Sequence, residues 1–443
     1  MKRCVEIIAA KRDGRELTVD EIRAFVSGVV DGTVADYQAS AWLMAVFLRG
    51  MTAAETRDLT LAMRDSGLRV DLTDLPGGPV LDKHSTGGVG DKTTLIVVPI
   101  LAAAGVPMLK MSGRALGFSG GTVDKLEAIP GFGPGIGVEA AKAQVRRIGA
   151  ALISQSAELA PADRTLYALR DVTATIESLP LIASSIMSKK LAAGAQRLVL
   201  DVKVGRGAFM PTLERGKALA TALIAIGEGA GVPTSAVLTD MDEPLGRMVG
   251  NALEVEEAVR CLQNDPATEP RLRLLCVELA AHGLVAAEKA TDLATARMQV
   301  EHLLVSGAGA QKFAEIVSAQ GGPGDCDAIL RTLPQAPIRQ TVTSTFSGRV
   351  SGLDAGAIGR LCMALGAGRL VKSDPIDPAV GIELHVKTGD RVATGDAIAT
   401  LYLRDADAAR APEFADTLRA TFESNSDSSL STPRPSPVLM SLP

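Results

Sequence analysis

Residues 81–94, LDKHSTGGVGDKTT, crowd Lys83, His84 and Ser85 against Gly87, Gly88 and Gly90, with Thr93 and Thr94 just beyond. Glycine lets backbone N–H groups approach a ligand closely and adopt positive φ. The hydroxyls add donors and Lys83 adds a point charge. That set suits an oxyanion such as phosphate. The stretch is neither a Walker loop nor a dinucleotide fingerprint. Two readings stand side by side, an anion cradle or a plain strand–turn–helix connection with Val80 and Leu81 ending the strand.

A second stretch, KMSGRALGFSGGTVDKLE at 110–127, repeats the pattern with Ser112, Arg114, Ser119 and Thr122 among glycines. It ends in a helix start that Thr122 would cap. Two such loops can converge on one anion, each charge-assisted hydrogen bond contributing roughly 1.5–3 kcal/mol. Arg114 has a second reading, as a tie from the loop to its own fold. In LIASSIMSKKLAAG, after Pro180, Ser185 and Lys189 stand four apart and share one helix face. By spacing alone that face is equally a solvated one.

The elements that must position these residues change along the chain. Up to about residue 65 the spacing is helical. Thr18 with Glu21 and Thr52 with Glu55 form capping boxes. DYQASAWLMAVFLRG is an apolar helix, suited to a bundle core or to a dimer face. DLTDLPGGPV is a breaker-rich linker. LIVVPILAAAG, LVLDVKVG and SAVLTDM then read as strands, or strand-to-helix segments, of a parallel sheet. A mostly helical insert lies around 155–193, and helices resume to about 330. Beyond PQAP, alternating segments with Gly-Asp turns predict a small β-rich domain with some helix. The polar end of the chain predicts a disordered tail.

The fold class is therefore α/β: a helical domain, a large α/β domain with a mixed, mainly parallel sheet, and a small C-terminal α+β domain. The expected division is 1–65 with 162–192 helical, 66–161 with 193–335 α/β, 336–425 C-terminal, and 426–443 a tail. The chain has 443 residues, 46 basic against 51 acidic, and a net charge of −5, which argues against nucleic-acid binding. Cys4, Cys261, Cys276, Cys326 and Cys362 are dispersed, without metal-ligand spacing, as reduced thiols in the cytoplasm would be. Charges interrupt the N-terminus before a signal-peptide core forms, and no apolar run is long enough for a membrane span. His282, His302 and His385 lie outside any constellation.

SGRALGFSGGTVDKLE resembles the signature of the thymidine and pyrimidine-nucleoside phosphorylases, and DKHSTGGVGDKTT resembles their phosphate loop. LAPADRTLYALRDVTATIESLPLIASSIMSKKLA, LVLDVKVGRGAFM and GNALEVEEAV are similar to further blocks, so the resemblance runs nearly the whole chain. Phe118 stands where the family commonly has His, Ser119 where it has Thr, and Ala115 where it often has Gly.

The resemblance implies reversible phosphorolysis of thymidine, uridine or deoxyuridine to free base and a pentose 1-phosphate. Inorganic phosphate is the co-substrate, and no metal or other cofactor is required. It implies that Lys83, Ser85, Thr94, Ser112 and Thr122 hold phosphate. Arg170, Ser185 and Lys189 would read the base, and His84 would sit near the base carbonyl, with His84, Arg170 and Lys189 serving catalysis. Lys110 would accommodate a ribose 2′-hydroxyl, against the alternative of a Lys in solvent. A homodimer through the helical domain is implied, as is K+ near GGVGDK and NALEVEE. The same layout leaves room for an anthranilate-type phosphoribosyltransferase, for which DMDE at 240–243 offers acids, for a nucleoside 5′-monophosphate phosphorylase, or for a nucleoside sensor.

Overall fold

The computed structural model describes residues 3–115, 117–118, 120–156, 158–369, 374–425, 434 and 436–443. The chain opens with four helices, α1 (Cys4–Arg12), α2 (Val19–Asp31), α3 (Asp36–Arg49) and α4 (Ala53–Arg64). Both capping boxes form, since the Thr18 and Thr52 hydroxyls accept from the N–H of Glu21 and Glu55. Glu55 also takes the buried Lys11 ammonium at 2.8 Å and the Leu17 N–H at 2.8 Å, tying α1 to α4.

The α/β part follows: β1 (Leu81–Ser85), α5 (Thr93–Ala103), β2 (Met108–Ser112), α6 (Thr122–Glu127), α7 (Val138–Ile148) and β3 (Ala150–Ser154). Two helices, α8 (Pro161–Val172) and α9 (Leu179–Ala192), return to the first four. Ala162, Leu166 and Leu181 join the core that holds Phe25, Trp42 and Leu59. The α/β part resumes with β4 (Arg197–Val204), α10 (Leu213–Gly229), β5 (Thr234–Asp240), β6 (Met248–Val249), α11 (Asn251–Leu262), α12 (Pro270–Ala286), α13 (Leu293–Val305), α14 (Ala308–Ala319) and α15 (Cys326–Thr332). The C-terminal part contains β7 (Ile338–Thr343), β8 (Gly348–Leu353), α16 (Ala355–Cys362), β9 (Gly381–Leu384), β10 (Arg391–Val392), β11 (Ala397–Leu403), α17 (Ala411–Arg419) and β12 (Phe422–Asn425). A last strand, β13 (Val438–Leu442), closes the chain.

β1, β4 and β5 are parallel, with Ser85 opposite Asp201 and Asp201 opposite Val237. β2 and β3 form a parallel pair beside them, linked by Leu81 N–H to the Pro107 carbonyl at 3.2 Å. The fold class is thus the expected one, a mixed and mainly parallel sheet with helical and C-terminal partners. Among the described residues no helix is long and apolar enough to cross a membrane.

Three local expectations are corrected. The stretch read as a strand or strand-to-helix segment, LIVVPILAAAG, lies mostly in α5, which is buried from Thr93 to Ala102. A short apolar run carries no period that separates buried strand from buried helix. Leu81 begins a strand and Val80 precedes it, so neither ends one. The tail is not wholly disordered. β13 pairs antiparallel with β5, Ser441 opposite Val237, and so covers that sheet edge. The expectation for 426–433 and 435 lies outside the described residues.

Candidate active site

Alternation along β1 sends Asp82 and His84 to one face of the sheet and Lys83 and Ser85 to the other. Lys83 is fully buried, its ammonium 2.6 Å from Thr93 Oγ1 and 3.0 Å from Asp201. Lys203 reaches the same Asp201 oxygen at 2.9 Å. Asp91, at the end of the Gly-rich turn, takes the Ser85 hydroxyl and, at 2.6 Å, that of Thr93. Burial alone would raise the Asp91 pKa, but Lys203, Lys83 and Lys125 outweigh it and hold the carboxyl far below its usual range. Thr94 follows in the first turn of α5, buried.

On the other face, Asp82 bridges two ammoniums, Lys110 at 3.0 Å and Lys190 at 2.8 Å. Lys110 does not point to solvent. Burial, opposed by Asp82 and reinforced by Lys190, brings its pKa down to about 7. His84 sits above this triad. Its Nε2 is buried and, among the described residues, has no hydrogen-bond partner. Burial and the charges of Lys190, Lys110, Lys83 and Lys189 push its pKa well down, so the imidazole is neutral near pH 7. On the His84 face two lysines (110 and 190) meet one carboxylate (82), whereas on the other face Lys83 and Lys203 are matched by Asp91 and Asp201, so any positive excess lies on the His84 face.

The second loop begins where β2 ends. The buried Ser112 hydroxyl has no partner among the described residues. Arg114 turns away to Asp124 at 2.9 Å and Glu127 at 2.6 Å, so it ties the loop to α6. Thr122 is the first residue of α6, and Gly121, not Thr122, stands at the cap position. Phe118 stacks on Phe209 with centroids 6.1 Å apart and packs on the C-terminal core. Ser119 lies outside the described residues.

The helical side supplies a polar face. Ser185 and Lys189 do share one face of α9, the Lys189 ammonium 2.9 Å from the Ser185 hydroxyl. Lys189 also pairs with Asp163 and lies 6.0 Å from the Tyr167 ring centroid. Arg170 is buried and donates to the carbonyls of Thr175 at 3.2 Å, Leu181 at 3.0 Å and Ile176 at 2.6 Å. Three of its five N–H donors therefore hold the α8–α9 connection, and two remain.

Lys83 and Ser85 thus stand on one face of β1 and His84 with Lys110 on the other, while Arg170, Ser185 and Lys189 group around Asp163 and Tyr167. Lys189 is near enough to help depress the His84 pKa. Sequence reasoning missed Asp82, Asp91, Asp163, Lys190, Asp201 and Lys203. For Asp163, Tyr167 and Arg170 a signal existed, since spacings of four and three place them on one helix face.

Two further acids and one lysine are spoken for. Asp240 and Glu243 of DMDE pair with Arg271, and Glu243 also with Arg434 at 2.9 Å. Neither is a free carboxylate suited to magnesium. Where the resemblance implies K+, the fully buried Lys92 ammonium fills the oxygen cage itself. It lies 3.0 Å from Leu245 O, 2.7 Å from Met248 O and 2.5 Å from Glu257.

Comparison with known proteins agrees with this fold. The chain matches the family model for the glycosyl transferase family a/b domain over residues 77–310 and its helical bundle domain over 5–67. These two matches define a glycosyl transferase. The pyrimidine nucleoside phosphorylase C-terminal domain matches at 349–423. The chain is 49% identical over 400 residues to the pyrimidine-nucleoside phosphorylase of Bacillus subtilis (strain 168), covering 90% of this chain and 92% of the relative. It is 48% identical to that of Geobacillus stearothermophilus over the same shares. In fold alone it is similar to anthranilate phosphoribosyltransferase from Thermus thermophilus, with TM-score 0.58, 19% identity, and coverage of 71% of this chain and 99% of that one. The chain belongs to the pyrimidine-nucleoside phosphorylase family.

Proposed function

We propose that this protein catalyses the reversible phosphorolysis of pyrimidine nucleosides, thymidine, uridine and deoxyuridine, in cytoplasmic salvage. A phosphate oxygen forms a bond to the anomeric carbon as the glycosidic C–N bond breaks. The base leaves with the bonding pair and takes up a proton, and a (2-deoxy)ribose 1-phosphate remains. Phosphate is the nucleophile, so the protein needs to aim and desolvate it rather than supply a nucleophile of its own.

The observation that carries this reading is His84, a neutral imidazole among lysines whose buried Nε2 has no partner among the described residues. Such a group donates a hydrogen bond to the base carbonyl as negative charge develops there. Ser85, Thr94, Ser112 and Thr122 bind phosphate, and Lys83 contributes its charge from below. Arg170, Ser185 and Lys189 hold the polar edge of the base. Lys110 favours a ribose 2′-hydroxyl.

The bodies close about linkers near 66–80, 155–162 and 190–197. In support, these linkers touch one another: Leu68 N–H donates to Glu158 O at 2.9 Å, and Val70 N–H to Ala192 O at 2.8 Å. Closure excludes water from the reaction. Two chains associate through the helical domain. Tyr37 and Leu48 of α3 are exposed and suit such a face, whereas Trp42 of the same helix is buried against Phe25. Base release dependent on inorganic phosphate tests the chemistry, and X-ray scattering with both substrates tests closure, an unchanged radius counting against it.

A further inference from the structure

A lysine ammonium carries three protons and no acceptor, so it is satisfied by three oxygens. Lys92 Nζ has three: the carbonyls of Leu245 and Met248 and one oxygen of the Glu257 carboxylate. The cage is built around that position. Glu257 is itself fixed by the N–H groups of Arg247 at 2.7 Å and Met248 at 3.0 Å. Gly246 turns at φ +74, where a Cβ would collide with the Glu257 carboxylate. Gly90 turns at φ +75, where a Cβ would stand 2.5 Å from Leu245 O. Leu245 N–H closes the contact by donating to Val89 O at 3.0 Å.

Backbone carbonyls plus one carboxylate form the donor set that strips water from a monovalent cation, and an ammonium is close to potassium in size. Here the cation is attached to the chain. Its stem leaves the Gly-rich turn one residue after Asp91, so it clamps the end of the proposed phosphate loop to the segment 245–248 and to α11. A second ammonium grips neighbouring carbonyls of the same stretch, Lys387 reaching Pro244 O, just before that segment, at 2.5 Å and Gly246 O at 2.9 Å. The turn is thus held by fixed charges from both sides.

We propose that Lys92 is a tethered monovalent cation: its ammonium takes the place of potassium, so the folded protein neither binds nor needs potassium there. Only the kinetic arm of the test rests on the phosphorolytic reading; the thermal arm stands without it. Unfolding temperature and thymidine phosphorolysis are measured in KCl, NaCl and choline chloride at equal ionic strength, for the wild type, Lys92→Ala and Lys92→Met. The wild type is expected to be alike in all three salts, within about twofold in rate. Lys92→Ala opens the cage and leaves Glu257 without its cation, so its rate falls about tenfold or more in choline. In KCl it recovers, its unfolding temperature climbing with potassium as linkage to a folded-state site requires. Lys92→Met, with the cage filled by an apolar chain, stays impaired in every salt.

A saturable potassium response of the wild type overturns the proposal. So does a Lys92→Ala protein that potassium, sodium and choline restore equally. If Lys92→Ala folds in no salt, the wild-type comparison decides: insensitivity to cation upholds the proposal and a potassium response overturns it.

Discussion

Replacing Lys110 by Met removes one of the two ammoniums on Asp82 while keeping the stem length and leaving the Asp82–Lys190 pair in place. Burial first, then the balance of Asp82 against Lys190, takes the Lys110 pKa from the ordinary 10.5 to about 7. Between those values the unfolded chain holds more protons than the folded one, so stability rises with pH across that window. At 1.36 kcal/mol per pH unit, the wild type gains on the order of 3 kcal/mol between about pH 7 and pH 9.5 from the group formed by Lys110 and its neighbours. Urea unfolding of both proteins at several pH values compares the two slopes. The same titration carries a kinetic consequence. The charged fraction of Lys110 falls about tenfold from about pH 6 to pH 8. If its ammonium favours the ribose 2′-hydroxyl, the ratio of kcat/KM for uridine to that for thymidine falls by up to about tenfold over that range in the wild type and is flat in Lys110→Met. Parallel stability profiles would refute the buried-ammonium reasoning. A ratio that is flat in both proteins would refute the assignment to the sugar.

Three other changes have definite expectations. His84→Gln should lower kcat about 10²–10³-fold with the fold intact, as loss of a placed donor does. In the wild type no His84 inflection should appear in the kcat/KM profile at the ordinary histidine position, because burial and the neighbouring ammoniums push its pKa well below that. Asp163→Asn frees Lys189 from its carboxylate without touching substrate. Steady-state kinetics should show KM for the nucleoside raised about tenfold and phosphate KM unchanged, with partial rescue in Asp163→Glu. Deleting residues 426–443 removes β13 and the Arg434 bridge to Glu243 and Glu269, at 2.9 and 3.0 Å. Urea unfolding should register a loss of about 1–3 kcal/mol, and light scattering a greater tendency to associate through the bared β5 edge.

Caps, breakers and helical spacing carry local information, so the first four helices and the face holding Ser185 and Lys189 could be read directly. Long blocks of family resemblance supplied the site residues that spacing alone left open. What stayed hidden is mostly buried charge. Lys83, Lys203 and Asp201 lie on strands where isolated charges read as solvated, yet they are buried because each compensates another across the β1–β4 pairing. Arg170 shows the converse, since its buried guanidinium spends most of its donors on the chain's own carbonyls. α5 escaped because full burial erases the helical period. β13 escaped because a five-residue segment, VLMSL, after a polar tail gains its order from the open edge of β5.

Base release from thymidine and from uridine, with and without inorganic phosphate and in EDTA, tests the central claim most directly. The account predicts free base and pentose 1-phosphate in equal amounts, strictly dependent on phosphate and indifferent to the chelator. Release without phosphate, a requirement for magnesium, or no release from either nucleoside would contradict it.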